Sequence, residues 1–330
     1  MGGKAAGVDD TRDMFSQAVR AVSEIQPRAF LFENVRGLLR PAFSNYVEFI
    51  RLQMEFPTFS ISKNLSWDKN LARLQRHKER NQPKNNELRY RVHIQQACAA
   101  DYGVPQQRNR VFFVGFRTDV KSEWSFPPPT HSEKALLLEQ FVSGGYWKRH
   151  KLAQKTKYSF PSTIIKRGER LNEELEGFLP ENKSPWVTLQ DGLVDLPKPT
   201  KMGSKTVSNH CLQPGAKSYP GHTGSPLHRP SKTLKAGNHG VPGGENMILY
   251  PNGLVRYLTI RECARVQTFP DNYQFLGSWS ETMRQLGNAV PVELSRIVGE
   301  SIAKALKKDA SIKARNLPTS TEQRKTKNPS

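Results

Sequence analysis

Cysteine is scarce in this chain of 330 residues: Cys98, Cys211 and Cys263 are odd in number and widely spaced. No disulfide framework and no metal-ligand spacing can be built from them, which fits a reducing compartment. Long apolar runs are also missing. No stretch of about 18 apolar residues occurs, so no membrane span is expected. The start carries no basic region leading into an apolar one, so no secretion signal is expected either. A cytoplasmic protein is the expectation. Internal repeats are not evident. Hydrophobic residues, at 36 %, are on the low side for a compact globule, so part of the length should be linker or tail. Acidic residues are the last deficit: Lys and Arg outnumber Asp and Glu by 50 to 30, a net charge of +20. Residues 304–330 hold +6 of it, leaving +14 on the rest. A surplus of that size suits a polyanion, and nucleic acid is the commonest. The plainer alternative is a soluble protein with a basic tail.

What is present reads as alternating helix and strand. Met14, Phe15, Ala18, Val19, Val22 and Ile25 recur at helical spacing over residues 12–26, and Pro27 ends the run. Ala29 to Phe32 is a short apolar run, expected as a buried strand of the kind found in parallel α/β sheets. A second helix is expected from Tyr46 to Met54. The basic stretch 60–90 reads as an inserted surface segment. Val92–Ala97 and Arg110–Phe116 read as two strands of a hairpin, joined through Gly103 and Pro105. From about 121 to 255, Pro and Gly recur and the pattern loosens, as in a separate loop-rich domain. Regularity returns with a helix Thr259–Gln267, where Thr259 and Glu262 have capping-box spacing. A last helix is expected from about Pro291 to Leu306.

Four segments carry chemistry. Phe30-Leu31-Phe32-Glu33-Asn34-Val35 puts a carboxylate at a strand end, where α/β enzymes place ligands; alone, a carboxylate there is more often a cap or an ion-pair partner. In Tyr102–Val114, alternation on an extended strand would aim Arg108 and Arg110 the same way, beside Gln106. That makes either a cationic site or a solvated edge strand. Arg256–Asp271 alone is a capped helix running into a Phe-Pro-Asp turn. Gln285–Val292 offers Gly287 and Asn288 ahead of a helix, which is a ligand contact or an ordinary helix entry.

In this order, the four segments resemble the later signature motifs of the DNA cytosine-carbon-5 methyltransferases: Glu-Asn-Val, Gln-x-Arg-x-Arg, Arg-Glu-x-Ala-Arg-x-Gln-x-Phe-Pro and Gly-Asn-Ala-Val. Gly2-Gly3-Lys4 with Asp9–Asp13 looks like the segment after that family's catalytic loop. Ser231–Gly244 resembles a stretch near the end of its target-recognition domain. The resemblance spans residues 1–306. It implies an incomplete doubly wound, Rossmann-like α/β methyltransferase domain with a second, loop-rich target-recognition domain. The expected division is 1–118 and 256–306 for the catalytic portion, 119–255 for recognition, and 307–330 for a basic disordered tail. It further implies that Glu33 supports addition at cytosine carbon-6 from ring nitrogen 3. Arg110, with Arg108 as neighbour, steadies charge at the exocyclic oxygen. Asn288, Ala289 and Val290 contact S-adenosyl-L-methionine, and duplex DNA, as in restriction-modification systems, is the partner.

The family's glycine-rich cofactor motif and Pro-Cys nucleophile are not in this sequence, and none of the three cysteines follows a proline. Three accounts stay open. The chain is a shortened reading of an ordinary methyltransferase, or one half of a split enzyme completed by a second chain, or a non-catalytic DNA-binding remnant. The expectation common to all three is that the chain alone transfers no methyl group.

Overall fold

The computed structural model describes residues 14–80, 87–153, 162–174, 182–236 and 246–315. The chain forms two compact units. The first holds the residues up to Ala97, Asn109–Phe126 and those from Val298 on; the second holds Cys98–Arg108 and Pro127–Ile297.

The first unit is built on a three-stranded sheet of order β1-β3-β2, with β1 Ala29–Val35, β2 Tyr90–Cys98 and β3 Asn109–Arg117. One face is apolar because Phe30, Tyr90, Val111 and Phe113 alternate inward. Against it pack α1 (Phe15–Ile25), α2 (Ser44–Glu55) and α3 (Trp67–Arg80), through Val22, Phe49, Ile50, Leu52, Leu71 and Leu74. α1 stops where Gln26 turns left-handed and its N–H returns to the Val22 carbonyl, just before Pro27. The opposite face carries Phe112, Phe116 and His93, covered by Trp124 and Phe126.

The carboxy-terminal helix, Val292–Arg315, is tied into this unit at three points. Trp124 Nε1 donates to Ser301 Oγ at 3.1 Å, Ser122 Oγ to the Ala305 carbonyl at 2.8 Å. Fully buried Asp309 accepts from Arg28 at 2.7 Å and from the Lys121 N–H at 2.6 Å. Helix therefore replaces the first part of the tail expected from residue 307; residues 316–330 lie outside the described residues.

Two local expectations are corrected. β1 is not a parallel strand buried on both faces: it runs antiparallel to β3, from Ala29 opposite Phe116 to Val35 opposite Arg110, and lies at the sheet's edge. Its apolar run hides an alternation, with Phe30 inward and Leu31 left 37 % exposed. The stretch 60–90 is not simply surface insertion, because α3 occupies its centre. Leu71, Leu74 and Asn70 are buried on one side, and Arg76 and Arg80 are exposed on the other. The Asn70 amide also bonds the Ser62 N–H and carbonyl, fixing the turn before the helix.

The second unit has a small sheet in which Ser225–Pro226 pairs parallel with Met247–Leu249, which pairs antiparallel with Val255–Tyr257. Leu234, Ile248, Leu258, Cys263, Ala264, Val266, Met283 and Leu286 share one core. The expected capping box is present: Thr259 accepts from the Glu262 N–H, and the Glu262 carboxylate accepts from the Thr259 N–H. Residues 256–297 group here rather than with the first unit, a difference from the expected division. The reason is local: Val255–Tyr257 completes the small sheet, and the helix Ile260–Val266 packs on it.

Candidate active site and cofactor loop

Glu33 sits opposite Phe112 in the β1–β3 register, which makes Arg110 its diagonal neighbour on the same face. The pair closes at 2.5 Å between Arg110 Nε and Glu33 Oε1, with side chains 11 % and 25 % exposed respectively. Arg110 Nη1 also donates to the Asn109 carbonyl at 2.8 Å. Burial draws the Arg110 guanidinium below its ordinary value, and the Glu33 charge opposes that pull. An arginine stays protonated through such a shift. The result is a carboxylate held in one orientation by a permanent charge, on a face that solvent still reaches.

Arg108 is placed differently. It is fully buried, and its guanidinium donates to the Leu234 carbonyl at 3.0 Å and the Gly287 carbonyl at 2.6 Å. The alternation that would have set it beside Arg110 needs extended backbone through residue 108. Instead the Gln106 N–H bonds the Val104 carbonyl and the Arg108 N–H bonds the Gln106 carbonyl, two successive tight turns, and the strand starts at Asn109.

Gly287 and Asn288 lie ahead of the helix Val292–Arg315, as expected, and themselves end another, Trp279–Asn288, which a Ser278–Glu281 capping box starts. Sequence reasoning missed what holds the following residues. Gln267 Nε2 donates to the Leu286 carbonyl at 2.5 Å and the Ala289 carbonyl at 3.4 Å. The Gln267 carbonyl accepts the Val292 N–H, and Thr268 Oγ1 accepts the Glu293 N–H at 2.9 Å. Thr268 is left-handed, with φ 58°. Gln267 and Arg108 both lie inside motifs the sequence displays, but a side chain reaching a distant carbonyl leaves no local signal. Gly287 is a position of close approach: a Cβ there would sit 2.3 Å from the Ala236 nitrogen. Gly287→Ala should therefore lower stability by about 1–3 kcal/mol, read as a lower denaturant midpoint; an unchanged midpoint would show that the 235–236 backbone yields freely.

This clamp leaves Asn288 exposed and Ala289 and Val290 half-buried. Among the described residues the Asn288 amide, which carries both a donor and an acceptor, makes no hydrogen bond to another described residue. That donor set fits a polar group of a nucleoside or amino-acid moiety.

The thiols are a poor match to nucleophilic work. Burial pushes Cys263 far above its ordinary value and also raises Cys98. Cys211 lies 3.1 Å from the Lys201 carbonyl. Among the described residues no group of His, Cys, Asp and Glu could hold a metal ion, and no helix is long and apolar enough to cross a membrane.

Residues 1–66 and 69–304 match the C-5 cytosine-specific DNA methylase family. The chain belongs to that family. Within it, the type II methyltransferase M.NgoMIV of Neisseria gonorrhoeae is 28 % identical over 314 residues, 93 % of this chain and 74 % of the relative. M.FnuDI of Fusobacterium nucleatum is 28 % identical over 327 residues, 94 % of this chain and 75 % of its own length. A prophage-encoded Escherichia coli protein described as a DNA modification methyltransferase shares the fold, with a TM-score of 0.50 at 18 % identity, over 92 % of this chain and 77 % of that one. The α/β fold of the chain is thus one that methyltransferases share. The segments Gly2–Lys4, Asp9–Asp13 and 237–244 lie outside the described residues.

Proposed function

We propose that this methylase-family chain carries the base-activating part of an S-adenosyl-L-methionine-dependent methyltransferase for cytosine carbon-5 in duplex DNA. The observation that carries the reading is the Glu33–Arg110 pair on the partly open face of β1 and β3. A target base has to leave the stack to be reached. Glu33 then meets ring nitrogen 3 and holds a proton there, which favours addition at carbon-6. Arg110 fixes the carboxylate and places positive charge where the exocyclic oxygen gains electron density. Asn288, Ala289 and Val290 would hold part of the cofactor, which supplies an electrophilic methyl group. Arg108 acts through Gly287, as a positioning residue. The second unit supplies target recognition, and the residues from 316 on add nonspecific attraction for phosphates. The carbon-6 nucleophile comes from polypeptide other than these residues, in the same protein or in a second chain.

A second reading, a DNA-binding module without catalysis, is favoured by the burial that raises the Cys98 and Cys263 thiols. Both readings require duplex binding. The purified chain should bind duplex DNA with an affinity that falls by on the order of 10²-fold or more between about 50 and 200 mM salt, as several phosphate contacts require. The +14 outside the tail motivates this. Affinity independent of salt, or no retention at low ionic strength, would refute both readings. Methyl transfer once a Pro-Cys-bearing segment is supplied separates the first from the second.

A further inference from the structure

Between Asp195 and Glu245 the sequence has no acidic residue, against seven lysines and arginines. A stretch this long without a carboxylate can face phosphates with no local repulsion. Within it one element combines a fixed root with an open tip. The Tyr219 N–H bonds the His222 carbonyl at 3.3 Å, and the His222 N–H bonds the Tyr219 carbonyl at 2.8 Å. Pro220 and Gly221 form the two-residue tip; proline fixes its own φ, and Gly221 takes φ 84°, which a side chain would strain. The two flanking rings stack, with centroids 4.3 Å apart and planes 37° from parallel. Tyr219 is 52 % exposed, and Lys217, Ser218, Pro220 and Thr223 are exposed with it.

The root is held tightly. Lys232 Nζ donates to Thr223 Oγ1 at 3.0 Å. Gly224, at φ 71°, lies so close to the Met247–Leu249 backbone that a Cβ would sit 3.2 Å from the Met247 carbonyl oxygen. Next to it, Ser225 pairs with Ile248 and is fully buried, its hydroxyl accepting the Lys232 N–H at 3.0 Å. An exposed ring stack on such a root contributes little to the core of the unit. It does order the tip in advance, so that binding costs less conformational entropy there.

We propose that the turn Tyr219–His222 reads bases of the target duplex, with Lys217 on an adjoining phosphate; this rests on the duplex-DNA reading above. The tip is slim, and its two rings carry edges that both donate and accept hydrogen bonds. The major groove presents the distinct donor and acceptor pattern that such edges can discriminate. Lys217, a point charge, adds affinity without sequence information.

The test uses the full chain and a pool of duplexes of randomised sequence, enriched by repeated binding. Wild type should enrich a defined sequence. Tyr219→Ala and His222→Ala should each lower preference for it over the starting pool by about tenfold, with affinity for the starting pool and unfolding temperature unchanged. Tyr219→Phe, which keeps the stack, separates the hydroxyl from the ring. Lys217→Ala should weaken all duplexes alike and reduce the salt slope by about 1. Wild type that binds the pool but enriches nothing, or Tyr219 and His222 variants with wild-type preference, would overturn the assignment while leaving duplex binding intact. A wild-type chain that retains no duplex would bring down the underlying functional reading as well.

Discussion

Glu33→Gln is expected to cut methyl transfer by about 10²-fold or more, and Arg110→Ala by a similar factor, with duplex affinity changed far less. The assay needs the chain joined to, or mixed with, a segment carrying a Pro-Cys motif, so that a nucleophile is present. Glutamine keeps the shape of Glu33 and can still meet Arg110, but it cannot take or give the proton at ring nitrogen 3. Alanine at residue 110 removes the charge that fixes the carboxylate 2.5 Å away. Because the two side chains form one unit, the double variant should lose much less than the product of the two single losses. Stability provides the control. Arg110 is mostly buried and Glu33 a quarter exposed, so solvent screens part of the pair. Losing it should cost on the order of 1 kcal/mol, too little to unfold the chain. Near-normal turnover in either single variant would remove both residues from the chemistry.

The sequence displays what depends on local period and spacing. α1 is visible in the recurrence of Phe15, Ala18, Val19 and Val22, and the helix after Thr259 in its capping spacing. The pairing of Glu33 with Arg110 follows once both are on strands, because side chains on one face of an antiparallel pair meet across it. What stayed hidden depends on contacts far apart in the chain. Arg108 looks like Arg110 in sequence, yet two tight turns before Asn109 redirect it to the carbonyls of Leu234 and Gly287. Gln267 sits in a motif that alone reads as a helix end, and its role appears only when its amide is seen on Leu286 and Ala289. Asp309 counts as one acidic residue in a basic tail until its burial against Arg28 and Lys121 shows that the helix is anchored there. Side-chain bonds to distant backbone carry no periodicity, so composition and spacing cannot announce them.

The chain alone should incorporate no labelled methyl group into DNA, and should form no covalent complex with duplexes containing 5-fluorocytosine. Addition at carbon-6 needs a thiolate, and burial works against two of the three thiols here. Cys263 is fully buried in the core of the second unit beside Ala264 and Val266, and desolvation holds its proton on well past neutral pH. Cys98, at the end of β2, is also desolvated, and the neighbouring Asp101 charge raises it further. Cys211 Sγ donates to the Lys201 carbonyl at 3.1 Å. Burial outweighs the backbone N–H groups of Ala100, Asp101 and Arg108 that pull the Cys98 thiol down, and the Arg256 charge that does so for Cys263. On the proposed mechanism, the missing nucleophile should remove nearly all turnover whatever Glu33 and Arg110 do, because groups that act together lose most of their effect when one is absent. A thiol reagent offers an independent check: Cys263 should resist alkylation in the folded chain and react fully in denaturant. Methyl incorporation or a trapped adduct from the purified chain would overturn the argument, and loss of that signal in Cys98→Ser, Cys211→Ser or Cys263→Ser would then identify the thiol that had been misjudged.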